Sequence, residues 1–182
     1  MNEAQKLFGM PPERSQQKVR PYMVEWVQEF IRHSPFAVMA SSDSQGNCDA
    51  SPKGGEPGFA KVIDDRHLLM PDVSGNRLFQ SYENLETNPK IGLFFLIPGI
   101  DATARVNGTI KVLRAGDSDF DQMVSTLFSD AEAADVLQLL MLTVDESYAQ
   151  CPKALAGAEI WNTSRIDRNR LDPPIRKWVP GT

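Results

Sequence analysis

Histidine and cysteine are scarce in this chain: His33, His67, Cys48 and Cys151 are the only ones among 182 residues. A zinc site draws on Cys/His clusters, so no metal is expected. The cysteines make neither a CxxC pair nor a disulfide framework. A hydrolase triad needs a histidine beside a nucleophile and a carboxylate. His33 falls at a predicted helix end and His67 beside a hairpin turn, where surface or capping roles are expected. No GxGxxG or Walker sequence occurs, which removes support for Rossmann and P-loop nucleotide binding. No apolar run approaches the roughly 18–20 residues of a membrane helix; the longest, residues 91–97, is strand-sized. The N-terminal residues lack a signal-peptide pattern, so a cytoplasmic protein with no membrane partner is expected. Positive charge is also short: 19 Lys and Arg face 24 Asp and Glu, a net charge of −5. Non-specific nucleic-acid binding relies on Lys and Arg neutralising phosphates, so no nucleic-acid partner is expected.

What remains has the composition of one globular domain, 41% hydrophobic and 24% charged, able to bury a core without staples. The expected organisation is an N-terminal arm (1–20), one folded domain (21–164) and a C-terminal tail (165–182). Pro21 is expected to open a helix, where its missing N–H costs nothing. Met23, Trp26, Val27, Phe30 and Ile31 form one apolar stripe, and the helix should stop near His33, before Ser34-Pro35. Residues 36–40 suit a strand buried on both faces, returning through a turn at 43–47 as a second strand over 48–52. Residues 59–63 and 68–70 form another hairpin. A helix is expected over 77–86 and strands over 91–97 and 105–114. A helix over 118–128 should be followed by one opened by the capping box Ser129–Glu132 and running to about Leu140. Residues 142–148 alternate as a strand, 153–158 are helix-prone, and Ile160-Trp161 begins a last short strand. Many short hairpin-connected strands argue for a closed antiparallel barrel with peripheral helices, because closure removes exposed edges.

Two polar loops offer places for an anion. Ser51-Pro52-Lys53-Gly54 leaves a strand with a hydroxyl, a cation and a flexible backbone. Gly75-Asn76-Arg77 leads into a predicted helix, whose free N–H groups and dipole favour a phosphate, and arginine adds a bidentate donor.

The ordered segments of residues 36–161 carry a family resemblance. They include Asp49-Ala-Ser-Pro-Lys-Gly54, Leu69-Met-Pro-Asp72 with Gly75-Asn-Arg77, Asn88-Pro89, Ala104-Arg-Val-Asn-Gly108, Cys151-Pro-Lys-Ala154 and Ile160-Trp161. In this order the chain resembles the pyridoxamine 5′-phosphate oxidase-like flavoproteins, and more closely their FMN-binding, oxidase-related branch. The resemblance implies a mainly β (α+β) fold: a six-stranded antiparallel split β-barrel with peripheral helices. It also implies a homodimer with FMN at the subunit interface. The FMN phosphate would be held at Ser51, Pro52, Lys53 and Gly54 and at Asn76 and Arg77. The flavin ring would lie against Met70, Pro71 and Asp72, and the partner subunit would contribute Lys153 and Trp161. The chain departs from the branch at Gln150 and over residues 156–159. It also lacks the Arg-rich second strand of the true oxidases, so vitamin B6 oxidation is not implied.

A flavin carries its own redox chemistry, so the protein needs no acid, base or nucleophile of its own. The scarcity of histidine and cysteine fits that division of labour. The expected function is an FMN-dependent oxidoreductase. It would pass hydride or electrons through flavin N5 between a reduced donor, such as a nicotinamide, and a small organic substrate. The alternatives are a flavin-binding protein without turnover (a carrier, sensor or stress protein) and a binder of another planar cofactor such as haem or a deazaflavin.

Overall fold

A computed structural model describes residues 1–73, 75 and 78–175, apart from the side chains of Asp130 and Ala131. Three helices come first: α1 (Glu3–Phe8), α2 (Glu13–Gln17) and α3 (Glu25–His33). Four strands follow: β1 (Phe36–Ser42), β2 (Cys48–Gly54), β3 (Lys61–Val62) and β4 (His67–Val73). After α4 (Gln80–Thr87) come β5 (Lys90–Leu96) and β6 (Thr103–Arg114), then α5 (Ser118–Leu127) and α6 (Asp130–Ala133). The long strand β7 (Val136–Gln150) leads to α7 (Lys153–Ala158) and α8 (Thr163–Leu171).

All the described strands belong to one antiparallel sheet in the order β2-β1-β5-β6-β7-β4-β3. The expected count of six becomes seven, and β3, two residues long, accounts for the difference. The β1–β2 turn is pinned by Asp43. Its carboxylate accepts from the backbone N–H groups of Gln45 and Asn47, both at 2.9 Å, and from the Asn47 side chain at 2.7 Å. These bonds, that of the Asn47 side chain first, hold the Asp43 pKa below its ordinary value.

The concave face of the sheet buries the main core. Ala37, Met39, Leu68, Met70, Leu93, Phe95, Val106, Leu140 and Leu142 are fully shielded there, and Val27, Phe30 and Ile31 of α3 join the same cluster. Each such aliphatic or aromatic side chain contributes about 1.5–3 kcal/mol on burial. Strand β1 is buried on one face only: Ala37, Met39 and Ser41 point inward while Ala40 is exposed, contrary to the two-faced burial expected. A second cluster sits on the other side of the sheet, where α5 covers Leu69, Leu113 and Leu139 with Phe120.

Four expectations fail at element boundaries. Helix α3 begins at Glu25 rather than Pro21, because residues 20–23 are tied to distant parts of the chain. Arg20 exchanges backbone bonds with Ser147, at 3.0 and 2.7 Å, and the Met23 N–H donates to the Asp65 carbonyl at 2.7 Å. Helix α4 begins at Gln80 rather than 77, after Phe79 in a left-handed conformation (φ 53°). The Ser129–Glu132 capping box forms, but α6 ends at Ala133. The apolar run beyond it is the first part of β7, which continues into the strand expected over 142–148; Leu139 faces the second cluster and Leu140 the first. A strand buried on both faces has no period-2 signature and mimics a buried helix. Finally, Ile160-Trp161 lies in a turn before α8, whose cap is Asn162: its side chain accepts from the Arg165 N–H at 3.1 Å.

The long β6–β7 pair carries a bulge at Asn107/Gly108. A Cβ on Gly108 would fall on the Thr143 carbonyl oxygen, a backbone atom of the facing strand. Overpacking of this kind costs about 1–3 kcal/mol. Gly108→Ala should therefore lower the melting temperature by several degrees in a thermal scan, and an unchanged melting temperature would show that the bulge yields.

Candidate functional site

Strands β2 and β4 are far apart in the sheet order, yet they face one another in space. The Lys53 ammonium of β2 lies 3.9 Å from Oδ1 of Asp72 on β4. The sheet has curled until these strands approach, but no ladder joins them. Between them lies a cavity of about 470 Å³, bounded also by the start of α4 and by Leu137 of β7. That volume is in the range of small-molecule sites.

Strand alternation decides which β2 side chains look inward. Asp49, Ser51 and Lys53 are half-buried on the cavity side, while Cys48, Ala50, Pro52 and Gly54 are exposed. Gly54 is required by its neighbour rather than by a ligand: a Cβ there would lie 2.9 Å from the Pro35 carbonyl oxygen. On β4, β3 pairs only with Leu68 and Leu69, so the edge from Met70 onward is open toward the cavity.

Asp72 is the hub of the polar end. Its Oδ2 accepts from Gln138 Nε2 at 3.0 Å, a cross-strand bond fixed by the Asp72–Gln138 register pair. Its Oδ1 faces Lys53, and both side chains of that pair are over four-fifths shielded from water, 17% and 11% exposed. The Lys53 ammonium also stands 5.6 Å above the centre of the Tyr82 ring, a cation–π distance. The Tyr82 hydroxyl is buried and makes no well-formed hydrogen bond, although Asp72 and Gln138 lie within its reach. Burial first, and the neighbouring Asp72 carboxylate second, push its pKa well above the ordinary tyrosine value, so it stays a neutral donor. Phe79 meets the Tyr82 ring edge-on, with centroids 5.9 Å apart. A left-handed backbone is uncommon for so bulky a residue and marks local strain. Deeper under α4, Ser81 donates to the Asp49 carboxylate and Asn84 donates to Ser41 at 3.0 Å.

The structure brings together Ser51, Pro52, Lys53, Gly54, Pro71 and Asp72 of the residues expected from sequence. Met70 does not line the cavity; it is fully buried in the core behind it. Asn76 and Arg77 lie outside the described residues. Lys153 and Trp161 are not at this cavity. Lys153 begins α7, and the Trp161 indole donates to the Ile100 carbonyl at 3.1 Å. Tyr82, Phe79 and Gln138 were missed. Tyr82 sits at apolar spacing in its helix and reads as core, and nothing in the sequence pairs Gln138 with Asp72. Neither histidine is here: His33 Nδ1 is 2.9 Å from the Glu29 carbonyl, and His67 Nδ1 is 2.9 Å from Asp64. Among the described residues, no group of His, Cys, Asp or Glu could hold a metal ion.

The cavity, walled by Phe59, Pro71 and Leu137, is lined by the Lys53 ammonium, Ser51 and Tyr82. This donor set fits a flat apolar group with an anionic arm. A curled antiparallel sheet that leaves such a cavity at an unpaired seam is a split β-barrel. The sequence pattern of the family described as pyridoxamine 5′-phosphate oxidase matches residues 23–151, and the chain belongs to that family. Solved structures agree on the fold. A candidate pyridoxamine 5′-phosphate oxidase from Lactobacillus delbrueckii is 19% identical, covers 71% of this chain and 95% of its own, and gives a TM-score of 0.56. HupZ from Group A Streptococcus is 16% identical over 70% of this chain and 93% of its own, with a TM-score of 0.52. An FMN-binding protein from Syntrophomonas wolfei is 13% identical over 69% and 87%, with a TM-score of 0.51. No curated protein matches the chain.

The Tyr82 environment predicts an alkaline signature. Folding holds the phenol neutral, while the unfolded chain ionises near its ordinary value of about 10. Stability is thus fully present below that value and falls as pH rises through it. Thermal scans between pH 8 and 11 should show a steeper alkaline loss for the wild type than for Tyr82→Phe. Parallel curves would show that Tyr82 is not shielded as described.

Proposed function

We propose that this chain is an FMN-dependent oxidoreductase that works as a homodimer on small organic molecules, drawing electrons from a reduced donor such as a nicotinamide. The observation that carries the proposal is the β2–β4 cavity, which sets one shielded ammonium beside apolar walls in a chain of this family. When bound, the flavin supplies the redox chemistry. The chain's own residues bind and orient it. Lys53 and the Ser51 hydroxyl hold the phosphate, with Asn76 and Arg77 assigned to the same group. Pro71, Phe59 and Leu137 keep water from the ring. Lys153 and Trp161 act across the subunit interface. Two features support that last role: α7 and α8 bury none of their residues in their own chain, and the outer face of β1 and β5 leaves Ala40 exposed and Val38 and Phe94 half-covered.

A second reading, flavin binding without turnover, is favoured by the region after Lys153. There Glu159, with φ 50°, pairs with Arg165 at 3.1 Å and adds a carboxylate close to the surface assigned to the partner's site. A haem reading lacks support, because neither histidine lines the cavity.

Titration with FMN, followed by quenching of flavin fluorescence, should show saturable binding, and size-exclusion chromatography should report a dimer. Lys53→Ala should weaken FMN by about 1.5–3 kcal/mol, the scale of a charged hydrogen bond. Colourless protein that FMN leaves unchanged would defeat the proposal. Tight FMN with no accelerated reoxidation by quinones or nitro compounds after reduction would select the second reading.

A further inference from the structure

The Lys53–Asp72 contact has an unusual character for a shielded ion pair. Its 3.9 Å separation is the outer limit of such an interaction, although both side chains are largely withdrawn from water. Asp72 is anchored through its other oxygen, Oδ2, by Gln138, which leaves Oδ1 as the exchangeable atom. Close by is the Tyr82 hydroxyl, buried and neutral, within reach of the Asp72 carboxylate but with no well-formed hydrogen bond to it. An anion that takes Lys53 from Asp72 would leave a shielded carboxylate without its cation, a costly state unless another donor replaces it. The phenol already poised beside Asp72 is that donor.

We propose that Asp72 is a built-in competitor for Lys53. A phosphate monoester displaces it from the ammonium, and Asp72 Oδ1 then accepts the Tyr82 hydroxyl. A phosphate dianion carries more charge and more acceptor oxygens than one carboxylate, so it wins Lys53. The exchange satisfies two groups at once, the ligand's anion and the phenol. Phe79 holds the Tyr82 ring edge-on in place for it. Asp72 and Tyr82 thus set how strongly an anionic arm binds, although Tyr82 need not touch it. Besides Lys53 and Asp72, the charged group facing this cluster among the lining residues is Asp49, whose carboxylate is engaged by Ser81; Arg114 lies near enough to act on Tyr82 electrostatically.

The inference rests on the flavin reading and is tested by a double-mutant cycle on FMN affinity, with riboflavin, which lacks the phosphate, as the probe without an anion. Asp72→Asn should tighten FMN about tenfold, the effect of one charged hydrogen bond. Tyr82→Phe should loosen FMN several-fold in the wild-type background and have no effect in the Asp72→Asn background. Riboflavin affinity should not change in any variant. Asp72→Ala, checked for folding by its melting curve, should reproduce the tightening. Equal loss from Tyr82→Phe in both backgrounds, weaker FMN binding in both Asp72 variants, or a matching change in riboflavin affinity would overturn the exchange while leaving the flavin reading intact. Wild-type protein that binds neither flavin would overturn both.

Discussion

Everything that gives this protein a site depends on a ladder that does not form. Strands β2 and β4 are brought face to face by the curl of one antiparallel sheet, yet they stay unpaired. Proline gives the physical reason. Pro52 sits in β2 and Pro71 in β4, and neither can donate a ladder hydrogen bond. Proline is tolerated in a strand where its missing N–H faces an open edge. The hairpin strand β3 covers β4 only at Leu68 and Leu69, so the open part of the edge begins where the cavity begins. The barrel is therefore split where each strand lacks a ladder donor, and the gap receives side chains instead.

The rest of the fold holds that gap at a fixed width. Strand β7 pairs with both β6 and β4 and is buried on both faces at Leu139 and Leu140, which makes it the rigid wall behind the seam. Gln138, one residue before that pair, uses this position to hold Asp72. Helix α4 closes the other side through polar contacts, Ser81 to Asp49 and Asn84 to Ser41. The site is thus placed by strands and a helix rather than by loops alone, which favours precise positioning of a cofactor.

Much of this was legible in the sequence, for identifiable reasons. The hairpins were marked by turn chemistry at Asp43–Asn47 and Asp64–Arg66, and alternation marked β6. Ser51 and Lys53 stood out as a hydroxyl and a cation leaving a strand, whereas Pro71 and Asp72 came only from the family resemblance. Other parts were hidden by the same physics. The second half of β7 showed its alternation over 142–148, but the run before it carried none because Leu139 and Leu140 bury opposite faces. The helix after β4 was misread because its shielded side includes Ser81 and Asn84, while apolar Leu78 lies outside, 64% exposed. Tyr82 falls at apolar spacing in its helix, and only the fold shows its hydroxyl beside Asp72. The start of α3 was displaced because hydrogen bonds with distant residues, Asp65 and Ser147, tie down the segment before it.

The unpaired β2–β4 seam is the place proposed for the flavin. A crystal structure of the protein grown with FMN tests it most directly. The flavin should lie in that seam, its phosphate within hydrogen-bonding distance of the Lys53 ammonium and its ring against Pro71. FMN bound at any other surface, or a seam closed by strand pairing, would contradict it.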